Sequence, residues 1–347
     1  MPRLASRRRI LRASIFGGVV LVVLAVAAFA GLYATQSRLA GQVQRIEGVF
    51  DGLEQRPERP TSGPGAESVN ILLMGTDRRS DVATTGAGAG AAEWVPGAQR
   101  TDTIMVLHLD ADRETGSLIS IPRDSWVAIP GYGEAKINAA FSFAGPSLAV
   151  ATVEQLTGLR MDHLAVVDWS GFEAMIDEVG GVTVKVPRTV TDSKRKITWT
   201  KGEHFLDGER ALKYVGQRYG LPNGDLDRVR RQQAVLRALL AQSMTELRSS
   251  SPLDLYDLLD TATQHVSVDE EFEVGEMRDL LLDVRGMRKG SMHFLTAPVA
   301  GFGWEGEQSV VYLDGPANAA MWRDVREDRM DAWLDRNPGL EVTGPVS

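Results

Sequence analysis

Uninterrupted apolar runs alternate along this chain with stretches whose apolar positions recur every three or four residues. The first pattern predicts buried strands, and the second predicts helices with one buried face. Val69 to Met74 reads as a strand that exits through Gly75, Thr76, Asp77 and Arg78. Arg100, Thr101 and Asp102 lead into Thr103 to Leu109, which is apolar on both faces like a central strand of a layered domain. Asp110 to Gly116 is a turn, and Ser117 to Ile121 is the next strand, ending in Pro122, Arg123 and Asp124. With these strands as antiparallel neighbours in that order, one sheet edge collects Asp77, Arg78, Arg100, Asp102, Arg123 and Asp124. Such a collection of acids and arginines is unusual for a merely solvated rim, although salt-bridged loop ends remain the plain alternative.

The pattern then changes period. Lys136 to Ala140 begins a helical stretch, and Pro146 to Leu156 gives a second, ended by Gly158. Leu164 to Val167 is a strand, Gly171 to Val179 a helix and Val182 to Val186 a strand, while Thr189 to Lys201 is polar and reads as loop. Asp207 to Val215 is a short helix that delivers Arg218 toward the next one. After a long helix come helical segments at Leu253 to Leu259 and Val274 to Leu282, strands at Ser291 to Ala297 and Ser309 to Leu313, and a closing helix from Ala317 to Leu334. The alternation predicts an α/β fold. Gly86 to Ala92 resembles a dinucleotide loop only superficially, because the spacing is wrong and no amphipathic helix follows; it reads as a surface insertion.

The long helix opens at Leu226 behind Asp225 as N-cap, and Val229, Leu236, Leu240 and Leu247 form its buried stripe. Arg228, Arg231 and Gln232 lie three and four residues apart and share one side, while Arg230 is turned away. A helix start already carries unpaired N–H groups and partial positive charge, so arginines there point to an anion, phosphate above all. A solvated basic face paired to Asp225 and Asp227 is the competing reading.

Ala13 to Ser37 contains no charged residue, and Ile15 to Leu32 is almost wholly apolar, which suits a membrane span of roughly 20 residues. Arginines precede it, so residues 1–12 are expected in the cytoplasm, residues 13–37 as a transmembrane helix and the remainder outside. A cleaved signal peptide, with Ala28-Phe29-Ala30 as its site, is the rival reading and exports the remainder equally. Residues 38–67 turn polar and then Pro/Gly-rich, as a stalk does, so the folded domain is expected over 68–335 with a tail over 336–347. The net charge of −8 includes the five arginines of the first twelve residues, so the bulk is more acidic than the total. That argues against nucleic-acid binding, which rests on phosphate neutralisation. No cysteine is present, which removes disulfides, a thiol nucleophile and cysteine-ligated zinc.

Histidines show no HExxH spacing, and neither GxSxG nor GxxxxGK[ST] occurs. What remains is Arg plus Asp around one sheet edge and one helix start. Guanidinium forks bind phosphate oxygens in pairs, and carboxylates hold Mg²⁺ that bridges phosphates, so the residues describe phosphoryl transfer or pyrophosphate binding.

Seven ordered motifs carry a further likeness. They are Asn70-Ile-Leu-Leu-Met-Gly-Thr-Asp-Arg, Arg100-Thr-Asp-Thr-Ile-Met, Ile119-Ser-Ile-Pro-Arg-Asp-Ser, Lys136-Ile-Asn-Ala-Ala-Phe, Thr152-Val-Glu-Gln-Leu-Thr-Gly, Val179-Gly-Gly-Val, and Gly224-Asp-x-x-Arg-x-x-Arg-Gln-Gln. Together, over about Ser68 to Leu247, the chain resembles the LytR-CpsA-Psr family of cell-wall ligases. The resemblance implies an α/β/α sandwich with a mixed central sheet and a long apolar pocket for a polyprenyl tail. It implies transfer of a glycopolymer from a polyprenyl-pyrophosphate carrier to peptidoglycan. By position, Asp77 and Asp102 correspond to the family's metal-binding acids, implying Mg²⁺, and Arg100, Arg123, Arg218, Arg228 and Gln232 to its pyrophosphate contacts, with Arg78, Lys136, Asn138 and Arg231 as further members of the site. Family members usually read Tyr-Val-Arg-x-Arg where this chain has Tyr214-Val215-Gly216-Gln217-Arg218, so one expected cation is missing. Two other functions share the same residues: hydrolysis of the carrier pyrophosphate, and lipid binding without catalysis in a regulatory protein.

Overall fold

The computed structural model describes residues 43–77, 84–86, 89, 94–95, 97, 100–217, 219–221, 225–249, 260, 263–288 and 290–341. In chain order its strands and helices are β1 (Gln44–Ile46), β2 (Val69–Asp77), β3 (Arg100–Leu109), β4 (Gly116–Ser120), β5 (Trp126–Ile129), β6 (Gly133–Lys136), α1 (Asn138–Thr157), β7 (His163–Asp168), α2 (Trp169–Glu178), β8 (Val182–Val186), β9 (Val190–Asp192), β10 (Ile197–Trp199), β11 (Gly202–Leu206) and α3 (Gly208–Val215). There follow α4 (Asp225–Ser249), β12 (Val266–Asp269), α5 (Val274–Gly286), β13 (Met292–Thr296), β14 (Val299–Glu305), β15 (Gln308–Leu313), α6 (Gly315–Arg326) and α7 (Met330–Arg336).

Strands of long apolar sequence take the middle of the main sheet, whose order is β1-β12-β7-β2-β3-β4-β13. The sheet is mixed: β2–β3, β3–β4 and β12–β7 pair antiparallel, while β2–β7, β4–β13 and β1–β12 pair parallel. Alternation along each strand divides the core in two. Leu72, Met74, Ile104, Val106, Leu164 and Val166 pack with Phe141 and Val150 of α1 and with Trp322 and Trp333 of α6 and α7. On the other face Leu73 and Met105 pack toward Leu236 of α4, while Ile71 and Val268 pack with Val274 of α5. A separate cluster around Trp199, Tyr214 and Val235 holds α2, α3 and α4 to the small hairpins. The α/β/α expectation therefore holds, and it holds because central strands are apolar on both sides.

Several expectations are corrected. The stalk expected up to residue 67 is part of the fold from Val43 onward: β1 adds to the sheet beside β12, Val43, Ile46 and Val49 are buried, and Arg56 pairs with Glu154 at 2.8 Å. These anchor points are single residues among Pro, Gly and polar ones, so no periodicity announces them. Residues 189–201 hold the β9–β10 hairpin, whose Val190 and Trp199 are buried and whose turn is fixed by Asp192 accepting from the backbone N–H of Lys194 and Arg195. The closing helix is two, because Asp328 between α6 and α7 has φ 50. The two helical stretches expected within residues 136–156 are present as the two halves of α1, separated by the non-helical Ala144 and Gly145, with Pro146 opening the second. The tail expected from residue 336 reaches back through a bridge of Glu341 to Leu295. The expected span at residues 13–37 and the segment Leu253 to Leu259 lie outside the described residues; among the described residues no helix is long and apolar enough to cross a membrane.

Candidate active site

β2, β3 and β4 are antiparallel neighbours in the expected order. Asp77 at the end of β2 is the register partner of Arg100 at the start of β3, and Arg123 follows the end of β4. The side chains of Asp77 and Arg100, and the whole of Arg78 and Arg218, lie outside what is described.

Asp102 owes its position to an irregularity. Gly75 pairs with Thr103 and Thr76 pairs with Thr101, so Asp102 is the extra residue of a β-bulge. Strict alternation would turn it with Ile104 and Val106 into the α1 core; instead it lines the same cavity as Thr103 and Met105. Gly75 permits this close approach, because a Cβ there would stand 3.0 Å from the Cβ of Thr103.

Two guanidiniums converge on that buried carboxylate. Arg228, in the first turn of α4, reaches Oδ2 at 2.7 Å, and Arg123 donates to Oδ1. Side-chain exposure is 2% for Arg228 but 48% for Arg230, as the helical spacing predicts. An outer ring follows: Lys136 Nζ lies 3.1 Å from Asp124 Oδ1, and Asn138, buried at the start of α1, donates its backbone N–H to the carbonyl of Arg123. Burying two like charges is tolerated because the intervening carboxylate neutralises one and bridges both.

Arg231 is not brought to Asp102. It is fully buried, with its guanidinium 4.3 Å from the ring centre of Tyr214 and its Nη1 donating to Gln217 Oε1 at 2.6 Å. Burial is the main cause that lowers its pKa from the ordinary arginine value. Gln217 in turn donates to the carbonyl of Tyr219, so Arg231 supports the backbone on both sides of Arg218. The missing cation at Gly216 has a neighbour in its place: Arg195, from the β9–β10 turn, donates to the carbonyl of Gly216 at 2.8 Å.

Behind Asp102 an apolar cavity of about 300 Å³ separates the sheet from α2, α3 and α4. Trp169 and Phe172, Leu212 and Val215, and Leu236 and Leu239 supply its helical walls, while Asp102 and Gln232 stand where β3 and α4 begin. The composition, apolar walls with few polar groups at one end, is that of a site for an amphiphile. Asp168 also borders the cavity and was not legible as a site residue. Its Oδ1 caps α2 through Gly171 N–H, and its Oδ2 accepts from the N–H and hydroxyl of Thr84. Burial alone would raise its pKa, but those hydrogen bonds and one from Ser170 outweigh it and hold the carboxyl below the usual range. Asp168 is therefore an anchor for the segment after β2 and has no oxygen without such a bond. Its position after an apolar strand and before a helix was the signal available.

The LytR_cpsA_psr family profile matches residues 47–327, and the chain belongs to that family. Among its relatives is the "Probable cell wall biosynthesis protein LcpB" of Corynebacterium glutamicum, 36% identical over 262 residues, a match covering 74% of this chain and 61% of the relative. The polyisoprenyl-teichoic acid–peptidoglycan teichoic acid transferase TagT of Bacillus subtilis is 34% identical over 212 residues, covering 59% of this chain and 61% of its own length. The match thus spans about three fifths of either relative. The crystal structure of TagV from B. subtilis superposes with a TM-score of 0.60 at 27% identity, over 76% of this chain and 98% of that one.

Proposed function

We propose that this protein is a membrane-anchored, extracytoplasmic phosphotransferase that moves a glycopolymer from a polyprenyl-pyrophosphate carrier onto peptidoglycan during cell-wall assembly. The observation that carries this reading is the junction of two unlike environments: Arg123 and Arg228 converge on Asp102 at the polar end of a cavity whose walls are apolar. An isoprenoid tail suits the cavity, and a pyrophosphate suits the guanidiniums.

In the reaction, a wall hydroxyl oxygen attacks the phosphorus attached to the glycan. The bond from that phosphorus to the bridging oxygen breaks, and polyprenyl phosphate leaves with the electron pair. Arg228 and Arg123 hold the phosphate oxygens and stabilise the charge that spreads over them in the transition state. Asp124, partly exposed and paired with Lys136, is the carboxylate we assign to accept the hydroxyl proton.

Mg²⁺ fits the donors at this edge. Asp102 offers hard carboxylate oxygens that the bulge turns toward the cavity, and an ion bound there would share them with Arg123 and Arg228. Asp102 and Asp77 would hold the ion, which supplies neutralisation of phosphate charge when bound. The test is a donor labelled at the glycan-bearing phosphorus, incubated with the purified full chain, Mg²⁺ and peptidoglycan. Label joined to peptidoglycan is expected; label released only as free glycan phosphate would make the protein a pyrophosphatase, and unchanged donor would leave a binding protein.

A further inference from the structure

A second constellation of charged groups lies at the opposite ends of the same two strands. His108 on β3 is the register partner of Asn70 on β2 and is completely buried. Its Nδ1 lies 2.7 Å from Asn70 Oδ1. The Asn70 amide has its orientation set by donating from Nδ2 to the carbonyl of Arg160 at 3.0 Å, so the oxygen faces the ring and Nδ1 carries the hydrogen. A neutral ring so held directs its lone pair out through Nε2.

Nε2 faces two carboxylates from different parts of the chain. Asp328 Oδ1, from the α6–α7 junction, is 2.9 Å away, and Asp110 Oδ1, from the turn after β3, is 3.4 Å away. Each carboxylate is fixed by its other oxygen: Asp328 Oδ2 accepts from Ala111 N–H at 2.8 Å, and Asp110 Oδ2 accepts from the hydroxyl of Thr115. One nitrogen and two oxygens therefore converge within 4.8 Å of one another. Asp110 Oδ1 is sealed from solvent and accepts no hydrogen bond. The nearby Arg113 donates to the carbonyls of Leu109, Asp110 and Glu67 and pairs with Asp283, and not with these two acids.

An imidazolium would satisfy Asp328 but leave Asp110 Oδ1 unmet. A divalent ion satisfies all three atoms, since ligands about 2.0–2.1 Å from a tetrahedral centre stand about 3.3 Å apart. An imidazole whose other nitrogen is fixed by a hydrogen bond, as Asn70 fixes this one, is the usual form of a histidine ligand. Imidazole with carboxylates favours the zinc type over Mg²⁺. We infer that His108, Asp110 and Asp328 bind one divalent transition metal of the zinc type, remote from the transfer site, with one enclosed water as the fourth ligand. The ion clasps the end of β3 to the junction of α6 and α7, so it acts on stability and not on phosphate chemistry.

The experiment uses the full chain, stripped with chelator, reloaded with ZnCl2, desalted and measured for metal content, thermal midpoint and, after CoCl2 loading, visible absorption. One zinc per chain, a raised midpoint and intense tetrahedral cobalt bands are expected in wild type and equally in Asp102→Asn. His108→Gln and Asp328→Asn, checked for folding by circular dichroism, are expected to lose all three responses. Equal zinc retention by wild type and these variants overturns the assignment, as does failure of folded wild type to retain zinc. Should His108→Gln not fold, Asp328→Asn and the wild-type cobalt spectrum decide between the same two results.

Discussion

Arg228 and Asp102, brought together from a helix start and a strand bulge, lie 2.7 Å apart with both side chains almost fully buried. Arg230, two residues along, is half exposed and pairs with Asp227 of the same helix. The pair of arginines therefore separates the site from the surface within one helical turn. Arg228→Ala is expected to lower transfer by roughly 10²- to 10³-fold, the scale for removing one positioned donor. Arg230→Ala is expected to behave as a surface change, within about 0.5 kcal/mol in stability. Transfer rates of the two folded variants, measured side by side, decide this; equal rates would remove the phosphate cradle from α4.

Asp102 separates two guanidiniums that have no business near each other without it. Asp102→Asn leaves them facing a neutral amide, and breaking a buried pair in this way costs about 3–5 kcal/mol. Urea unfolding is expected to show that loss, together with loss of Mg²⁺-dependent turnover. Wild-type stability and turnover in the variant would mean that neither the ion pairs nor the proposed metal position depends on this carboxylate.

Gly216 has φ −86, so its backbone suits any residue, but the space beside it does not. A Cβ would stand 2.9 Å from the carbonyl oxygen of Leu212 and 3.0 Å from Arg195 Nη2. Gly216→Arg is therefore expected to displace Arg195 and to destabilise by about 1–3 kcal/mol, the cost of overpacking. Adding Arg195→Ala should recover part of that loss. A double variant no more stable than Gly216→Arg alone would show that Arg195 is not what fills the place of the family's usual cation.

His163 links β7 to β12 and α5, with Nδ1 3.3 Å from Asp269 and Nε2 3.1 Å from Glu276. Burial lowers its pKa, but the hydrogen bonds and charges of Asp269 and Glu276 outweigh burial and raise it above the usual histidine value. A raised folded value means the stabilisation is fully present below the unfolded pKa of about 6.5 and is lost as pH rises through the folded one. Thermal midpoints of wild type are thus expected to fall more steeply than those of His163→Gln between about pH 6 and pH 8. Parallel curves for the two proteins would exclude His163 as the source.

The place of β3 and β4 was legible because Thr103 to Leu109 is apolar on both faces and the short turn at residues 110–115 returns the chain antiparallel, whereas the long connection over residues 78–99 left the pairing of β2 with β3 an assumption. The side of α4 was legible because three- and four-residue spacing fixes direction, as Arg228 and Arg230 demonstrate. Asp102 was legible as a residue type at an edge but not as a cavity residue, since alternation alone places it on the wrong face. The bulge exists only in the pairing with Gly75 and Thr76. Arg231 shares a helical side with Arg228, yet Tyr214 captures it, and that contact is made by tertiary packing alone. The cavity walls could not be read at all, because Trp169, Leu212 and Leu236 come from three helices separated in sequence and meet only in the fold.

The first sheet-edge strand begins at Gln44, and the proposed membrane span ends at Ser37. The connecting residues, fully extended at about 3.3–3.6 Å each, reach only about 20 Å. In the proposed topology this leash is shorter than the bilayer is thick. On that topology the domain would not patrol the wall at the end of a long tether but would ride on the lipid surface, within range of a carrier headgroup. Travel would fall to the other substrate, and only glycan strands laid down against the membrane would come within its working radius.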